Sequence, residues 1–259
     1  MSRVTRCLVL GLLAALTSCG DDSSSPPPPG LPRRLYTSAV RRIVLEVGHA
    51  PGAEPDFGAG VGMSTPWQLV TNNLNRLFQG TGKTLVIPTS AAQTESVGAV
   101  SGMDFTTSQI LSIVAPHRQA DTGDTAVVYA VWLPGYFNDG SMRRMDVLGV
   151  SIGTTGVIAM FKPVINGTGM LPGVRRFVEQ TTLVHEFGHV AGLVNNGVTM
   201  TTAHHDSAHG AHCTNTDCVM YWQNEGANDL LSFINRRVTT DNVTLFGAEC
   251  LADAAQAAR

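Results

Sequence analysis

The sequence predicts an α/β domain: a mixed, mainly parallel sheet flanked by helices, with one long helix and a mostly irregular or helical C-terminal subdomain. Three observations predict it. Short β-branched runs alternate with amphipathic segments along the first two thirds of the chain, the pattern of strands joined by crossover helices. The run Ala126-Val127-Val128-Tyr129-Ala130-Val131-Trp132 is apolar at every position, as a strand buried on both faces must be. Residues 174–193 carry Phe177, Leu183, Val184, Phe187 and Val190 over a length that strands rarely reach.

The elements follow in order. Arg42-Ile43-Val44-Leu45-Glu46-Val47 reads as a first strand. Residues 66–78, with Pro66 near the start and Leu69, Val70, Leu74 and Leu77 on one face, read as an amphipathic helix. Thr84-Leu85-Val86-Ile87-Pro88 is a second strand, 106–115 a second helix and 125–133 the buried strand. Residues 148–158, rich in Ser, Thr and Gly, read as one further strand, at a sheet edge beside a cleft. The helix over 174–193 stops where Gly192 accepts a left-handed backbone.

Ahead of the domain lie segments that cannot join a core. Arg3 and Arg6, an apolar run over 8–16, and Leu16-Thr17-Ser18-Cys19 have the layout of a secretory signal, and the run is too short to span a bilayer. Leu16-Thr17-Ser18-Cys19 resembles a bacterial lipoprotein lipobox, which implies that Cys19 is the lipidated first residue of the mature chain. The resemblance places the protein in the cell envelope, lipid-anchored on the periplasmic or cell-surface side. Asp21-Asp22-Ser23-Ser24-Ser25 and the four prolines after it read as an extended spacer. The division is then 1–18 signal, 19–38 tether and 39–259 domain, with an upper subdomain over 39–194 and a lower one over 195–259.

The formal net charge of −3, with Lys and Arg scattered, excludes a nucleic-acid binder and leaves peptides or small molecules as partners of a monomer. No G-x-S-x-G is present to suggest a serine hydrolase. Of the five cysteines, Cys7 leaves with the signal and Cys19 takes lipid. Cys213, Cys218 and Cys250 remain, an odd set that forms either one disulfide and a free thiol or a metal site.

The chemistry is concentrated in His185-Glu186-Phe187-Gly188-His189. Histidines at i and i+4 of a helix stack on one face and can reach one Zn²⁺, with the glutamate between them placed to act as general base on a zinc-activated water. A catalytic zinc normally has three protein ligands, so a third lies elsewhere. H-E-x-x-H-x-x-G resembles the metzincin metalloproteases, in which a histidine three residues after the glycine completes the site. That position here is Asn195, a poor zinc ligand.

Further along, His212-Cys213-Thr214-Asn215-Thr216-Asp217-Cys218-Val219-Met220 reads H-C-x4-C-x-M. It resembles the archaemetzincins, whose third histidine is followed at once by cysteine, then by a second cysteine and the methionine of the Met-turn. The resemblance implies a zinc metallopeptidase of metzincin-like fold, with His212 as third ligand, Met220 in the Met-turn and residues 196–211 as an insertion. It also implies a second, structural zinc held by the C-x4-C pair and a later C-x-x-C. Here the latter reads Cys250-Leu251-Ala252-Asp253, giving Cys213, Cys218, Cys250 and Asp253 as its ligand set.

Alternatives stay open at this level. His204, His205, Asp206 and His209, in the inserted segment, read either as a polar surface loop or as groups that bind metal or cover the cleft, and His205 and His209 are rival third ligands. Asn224-Glu225-Gly226-Ala227-Asn228-Asp229 resembles the N-E-x-x-x-D of thermolysin-like gluzincins, which would make Glu225 the third ligand and Asp229 the carboxylate orienting His185. Tyr221 is a candidate oxyanion donor, with ordinary packing as its alternative. A surface lipoprotein that holds zinc without catalysis is the reading from a different class. Glu186 speaks against it, because a structural site has no use for a carboxylate between its histidines.

Overall fold

The computed structural model describes residues 30–59, 65–169, 171–222 and 244–259. Its centre is a six-stranded sheet in the order β2-β1-β5-β9-β8, with β3 also on β1: β1 Arg42–His49, β2 Thr84–Val86, β3 Glu95–Ser96, β5 Thr125–Leu133, β8 Gly149–Ser151 and β9 Val157–Phe161. All the pairings are parallel except β8 with β9. β5 lies between β1 and β9 and is buried from Ala126 to Leu133, which is why it carries no alternation. Helices α2 (Gln68–Leu77), α3 (Thr107–Val114) and α5 (Pro172–Val190) flank the sheet. The fold class expected from the sequence is the one observed.

Local chemistry explains most boundaries. Thr106 and Gln109 close a reciprocal capping box at the start of α3. Pro172 stands in the first turn of α5, where its missing N–H costs nothing. Past Val190 the chain turns at Gly192, φ +76°, and the next turn is completed by Val194 and Asn195 at φ +53° and +60°. The His189 carbonyl, which takes the Gly192 N–H at 2.9 Å, also accepts from the Asn196 side-chain amide at 2.9 Å, which ties the turn back to the helix end.

Two expectations change. Residues 148–158 are two antiparallel strands, β8 and β9, because the chain reverses through Gly153 and Gly156, both at positive φ; β8 is the edge strand. The end of the expected tether is also part of the packed domain. Leu31, Pro32, Leu35 and Tyr36 are buried in and after the short helix α1 (Leu31–Arg34), and Arg34 pairs with Asp121 at 2.7 Å. A small sheet, β4 (Asp104–Phe105), β6 (Tyr136–Asn138) and β7 (Arg143–Arg144), stands beside the main one, and α4 (Lys162–Gly167) precedes α5. After α5 come a two-stranded hairpin, β10 (His205–Asp206) with β11 (His212–Cys213), and a last helix, α6 (Ala248–Ala257). Among the described residues no helix is long and apolar enough to cross a membrane.

Candidate metal centre

Helix α5 crosses the interior, buried without interruption from Phe177 to Val190, so the motif sits in the middle of the molecule. His185 is 1 % exposed, Glu186 3 %, His189 7 % and His212 6 %. The two helical histidines stack as their i, i+4 spacing requires, and β11 brings His212 against both. Ring centroids lie 4.7 Å apart for His185 and His189, 5.3 Å for His185 and His212, and 4.9 Å for His189 and His212. One ring nitrogen from each lies within 4.8 Å of the other two.

Tautomers follow from the partners. The Nδ1 of His185 lies 2.7 Å from the Val219 carbonyl, which can only accept, so Nδ1 carries the proton and Nε2 keeps its lone pair. His212 is fixed the same way, its Nδ1 donating to the His209 carbonyl. The Nε2 atoms of His185 and His189 face each other at 3.1 Å. Tetrahedral zinc at about 2.0–2.1 Å from each nitrogen needs neighbouring ligands roughly 3.3 Å apart, so this spacing fits a shared divalent cation. Backbone carbonyls behind two of the rings supply the orientation that metal-bound imidazoles need.

The turn after β11 packs directly under the helix. A Cβ on Gly188 would run into Met220 Sδ and meet Phe246 at 3.1 Å, so a glycine between the two histidines lets Met220 close against α5. The Cys213 N–H donates to the Met220 carbonyl at 2.7 Å and the Val219 N–H to that of Leu245 at 2.7 Å. On the opposite side β8 lies against the Glu186 face of α5, where a Cβ on Gly149 would stand 3.1 Å from Glu186 Cγ and 2.9 Å from Thr182 Cγ2. Tyr221 is half-buried next to Met220, its ring 6.1 Å from that of Trp222.

Two turns upstream on the Glu186 face, Glu179 is tied into the domain. Its Oε1 accepts from Trp132 Nε1 and the Asp56 N–H, both at 2.9 Å, and its Oε2 from Lys162 Nζ at 2.6 Å. Burial pushes the Glu179 carboxyl up from the usual range, against the opposing pull of Lys162. Nothing in the motif signalled this buried pair, since Lys162 belongs to α4 and meets α5 only through the packing.

The rival ligands are placed elsewhere. Asn195 is exposed on the turn beyond α5. His205 Nε2 meets the Gly210 carbonyl at 2.6 Å, while His209 pairs with Asp206 at 2.8 Å and stacks on Trp222 with centroids 4.0 Å apart. Neither ring joins the three histidines. Glu225 and Asp229 lie outside the described residues.

A second cluster lies behind Met220. His204 Nδ1, Cys213 Sγ and Cys250 Sγ come within 4.8 Å of one another, all buried, and Cys218 Sγ is 3.5 Å from Cys250 Sγ. The three cysteines are free thiols, so no disulfide joins them. Hydrogen bonds from Cys218 and Cys250 hold the Cys213 thiol well below the usual thiol range, and the same contacts together with burial push Cys218 and Cys250 upward. Asp253, expected among the ligands, instead accepts from the Thr201 N–H at 2.6 Å and Thr201 Oγ1 at 2.8 Å with one oxygen, and meets His204 Nε2 at 2.7 Å with the other. Both oxygens are committed away from the sulfurs, and it is His204 that meets Cys213 and Cys250. Of His204, His205, Asp206 and His209, which the sequence leaves open, His204 is the one that meets the sulfurs.

No protein-family model matches the chain, and no curated protein does. Two solved structures are distantly similar. The crystal structure of archaemetzincin from Methanopyrus kandleri aligns with a TM-score of 0.47 and 12% identity, over 85% of this chain and 96% of that one. That of a zinc-dependent peptidase from Methanocorpusculum labreanum aligns with a TM-score of 0.44 and 13% identity, over 82% and 99%.

Proposed function

We propose that this chain is a zinc-dependent metallopeptidase, with His185, His189 and His212 as the zinc ligands and Glu186 as general base. The observation that carries the reading is the meeting of three buried imidazoles with a glutamate in the turn between two of them. Zinc, when bound, supplies Lewis acidity: it draws the pKa of a coordinated water from about 15.7 toward ~7 and polarises the scissile carbonyl. Three neutral histidines leave its charge undiminished. Glu186 takes the proton of the attacking water and returns it to the leaving amine. Met220, pressed against Gly188, sets the floor under the histidines.

The edge strand β8 runs beside Glu186 with one side unpaired among the described strands, and aligns an extended peptide by strand addition. Tyr221, next to Met220, donates to the oxyanion. The lipobox-like Leu16-Thr17-Ser18-Cys19, outside the described residues, makes the enzyme an envelope lipoprotein held at a membrane through Cys19. Hydrolysis of an unstructured protein such as casein, before and after removal of metal with a chelator, tests the peptidase reading. Activity falls to background and returns with zinc; full activity in the metal-free protein would end it.

A further inference from the structure

Three consecutive side chains on the buried stretch of α5, Gln180, Thr181 and Thr182, have no hydrogen-bond partner for their polar atoms among the described residues, although none is more than 2 % exposed. A threonine inside a helix ordinarily bonds back to the carbonyl one turn before it, and a hydroxyl left buried and unpaired costs stability. Valine would fill the same space without that cost. A threonine kept in such a place points to a partner that arrives in another state of the protein.

Helix geometry separates the three. Gln180 shares its ridge with Val184 and Phe187, and Thr181 with His185 and Gly188, whereas Thr182 stands four residues before Glu186 and seven before His189. Side chains on a helix lean toward its N-terminus, so Glu186 lies back over the turn that carries Thr182. The strand β8 marks the same meeting. Thr182 Cγ2 and Glu186 Cγ both close on the one point where Gly149 has no Cβ, at 2.9 Å and 3.1 Å, and it is the threonine methyl that meets the strand. With Thr182 2 % and Glu186 3 % exposed, solvent does not supply the missing partner, and the carboxylate one turn away is an acceptor within reach of Oγ1.

We propose that Thr182 is a positioning residue for Glu186: its hydroxyl donates to one carboxylate oxygen when Glu186 turns to the attacking water, and so holds the other oxygen on the proton to be moved. The inference rests on the peptidase reading and adds a group to it. A carboxylate has about four lone-pair sites, so Glu186 accepts from Thr182 without surrendering other contacts. Thr182 keeps its own proton throughout. The proton that moves is the water's, first to Glu186 and then to the leaving amine. A bond made while the base is at work, and not when substrate binds, affects kcat and leaves KM alone.

The test compares wild type, Thr182→Val, Thr182→Ser and Glu186→Gln by zinc per chain, by thermal unfolding of the metal-free full chain, and by kcat and KM on a fluorogenic peptide taken from casein. In Thr182→Val we expect unchanged zinc and an unfolding temperature equal to or above that of wild type, because an unpaired hydroxyl has been removed. Its kcat falls at least about tenfold while KM stays within about twofold. Thr182→Ser, which keeps the hydroxyl, recovers kcat to within about threefold of wild type. The proposal is overturned by a wild-type kcat in Thr182→Val, by a serine variant no faster than the valine one, or by a loss that lies in KM. An unfolding temperature of Thr182→Val below that of wild type also overturns it, since the hydroxyl would then have a partner already, and this arm needs no activity. A wild-type protein that cleaves nothing removes the peptidase reading and this one with it, whereas an inactive Glu186→Gln beside a fully active Thr182→Val removes this one alone.

Discussion

At the scale of single residues, the site depends on what is small or absent as much as on its ligands. Gly188 lies between His185 and His189 because any Cβ there would occupy the volume of Met220 Sδ. Gly188→Ala forces Met220 and the turn behind it outward, an overpacking that costs about 1–3 kcal/mol and displaces Val219, the acceptor for His185. Thermal unfolding and a zinc titration check it: both stability and affinity fall, and unchanged values would show that the turn gives way freely. His185, Glu186 and His189 were legible because their spacing is a property of one helix. His212 was legible through H-C-x4-C-x-M. His204 was legible only as one of several histidines in its segment, since its partners Cys213, Cys250 and Asp253 are 9 to 49 residues away and meet it only through the fold.

At the scale of elements, α5 brings the motif into the core and is held in place by the Glu179 node at its N-terminal half. Lys162 from α4, Trp132 from β5 and the backbone of Asp56 all converge on that carboxylate. Glu179→Ala leaves the Lys162 ammonium, 12 % exposed, without its anion, and lowers unfolding stability by about 3 kcal/mol or more. Denaturant unfolding measures it, and a loss within ±0.5 kcal/mol would show the node to be dispensable. The β and α order could be read because buried strands are apolar throughout and flanking helices are amphipathic. The turn between β8 and β9 could not, because β-branched Val150, Ile152, Thr154 and Thr155 carry the strand composition across it and only the positive φ at Gly153 and Gly156 marks the reversal. The same limit hid α1, where Leu31 and Leu35 follow a run of prolines that dominates the local composition.

At the scale of the whole molecule, a domain of about 225 residues buries a core large enough to hold three histidines and a glutamate nearly dry. The proposed anchor belongs to this scale. Wild type fractionates with membranes and Cys19→Ala does not, as judged by blotting of separated fractions, and equal membrane association of the two would remove the lipid from the account. The central claim is narrower: one buried site, closed by His212, with Glu186 as the group that moves the proton. Its most direct test measures zinc per chain and casein hydrolysis on the same preparations of wild type, Glu186→Gln and His212→Ala. Glu186→Gln retains the metal and loses at least about a hundredfold in rate, while His212→Ala loses the metal of the three-histidine site together with the activity. Hydrolysis by Glu186→Gln at the wild-type rate, or full metal and activity in His212→Ala, would contradict it.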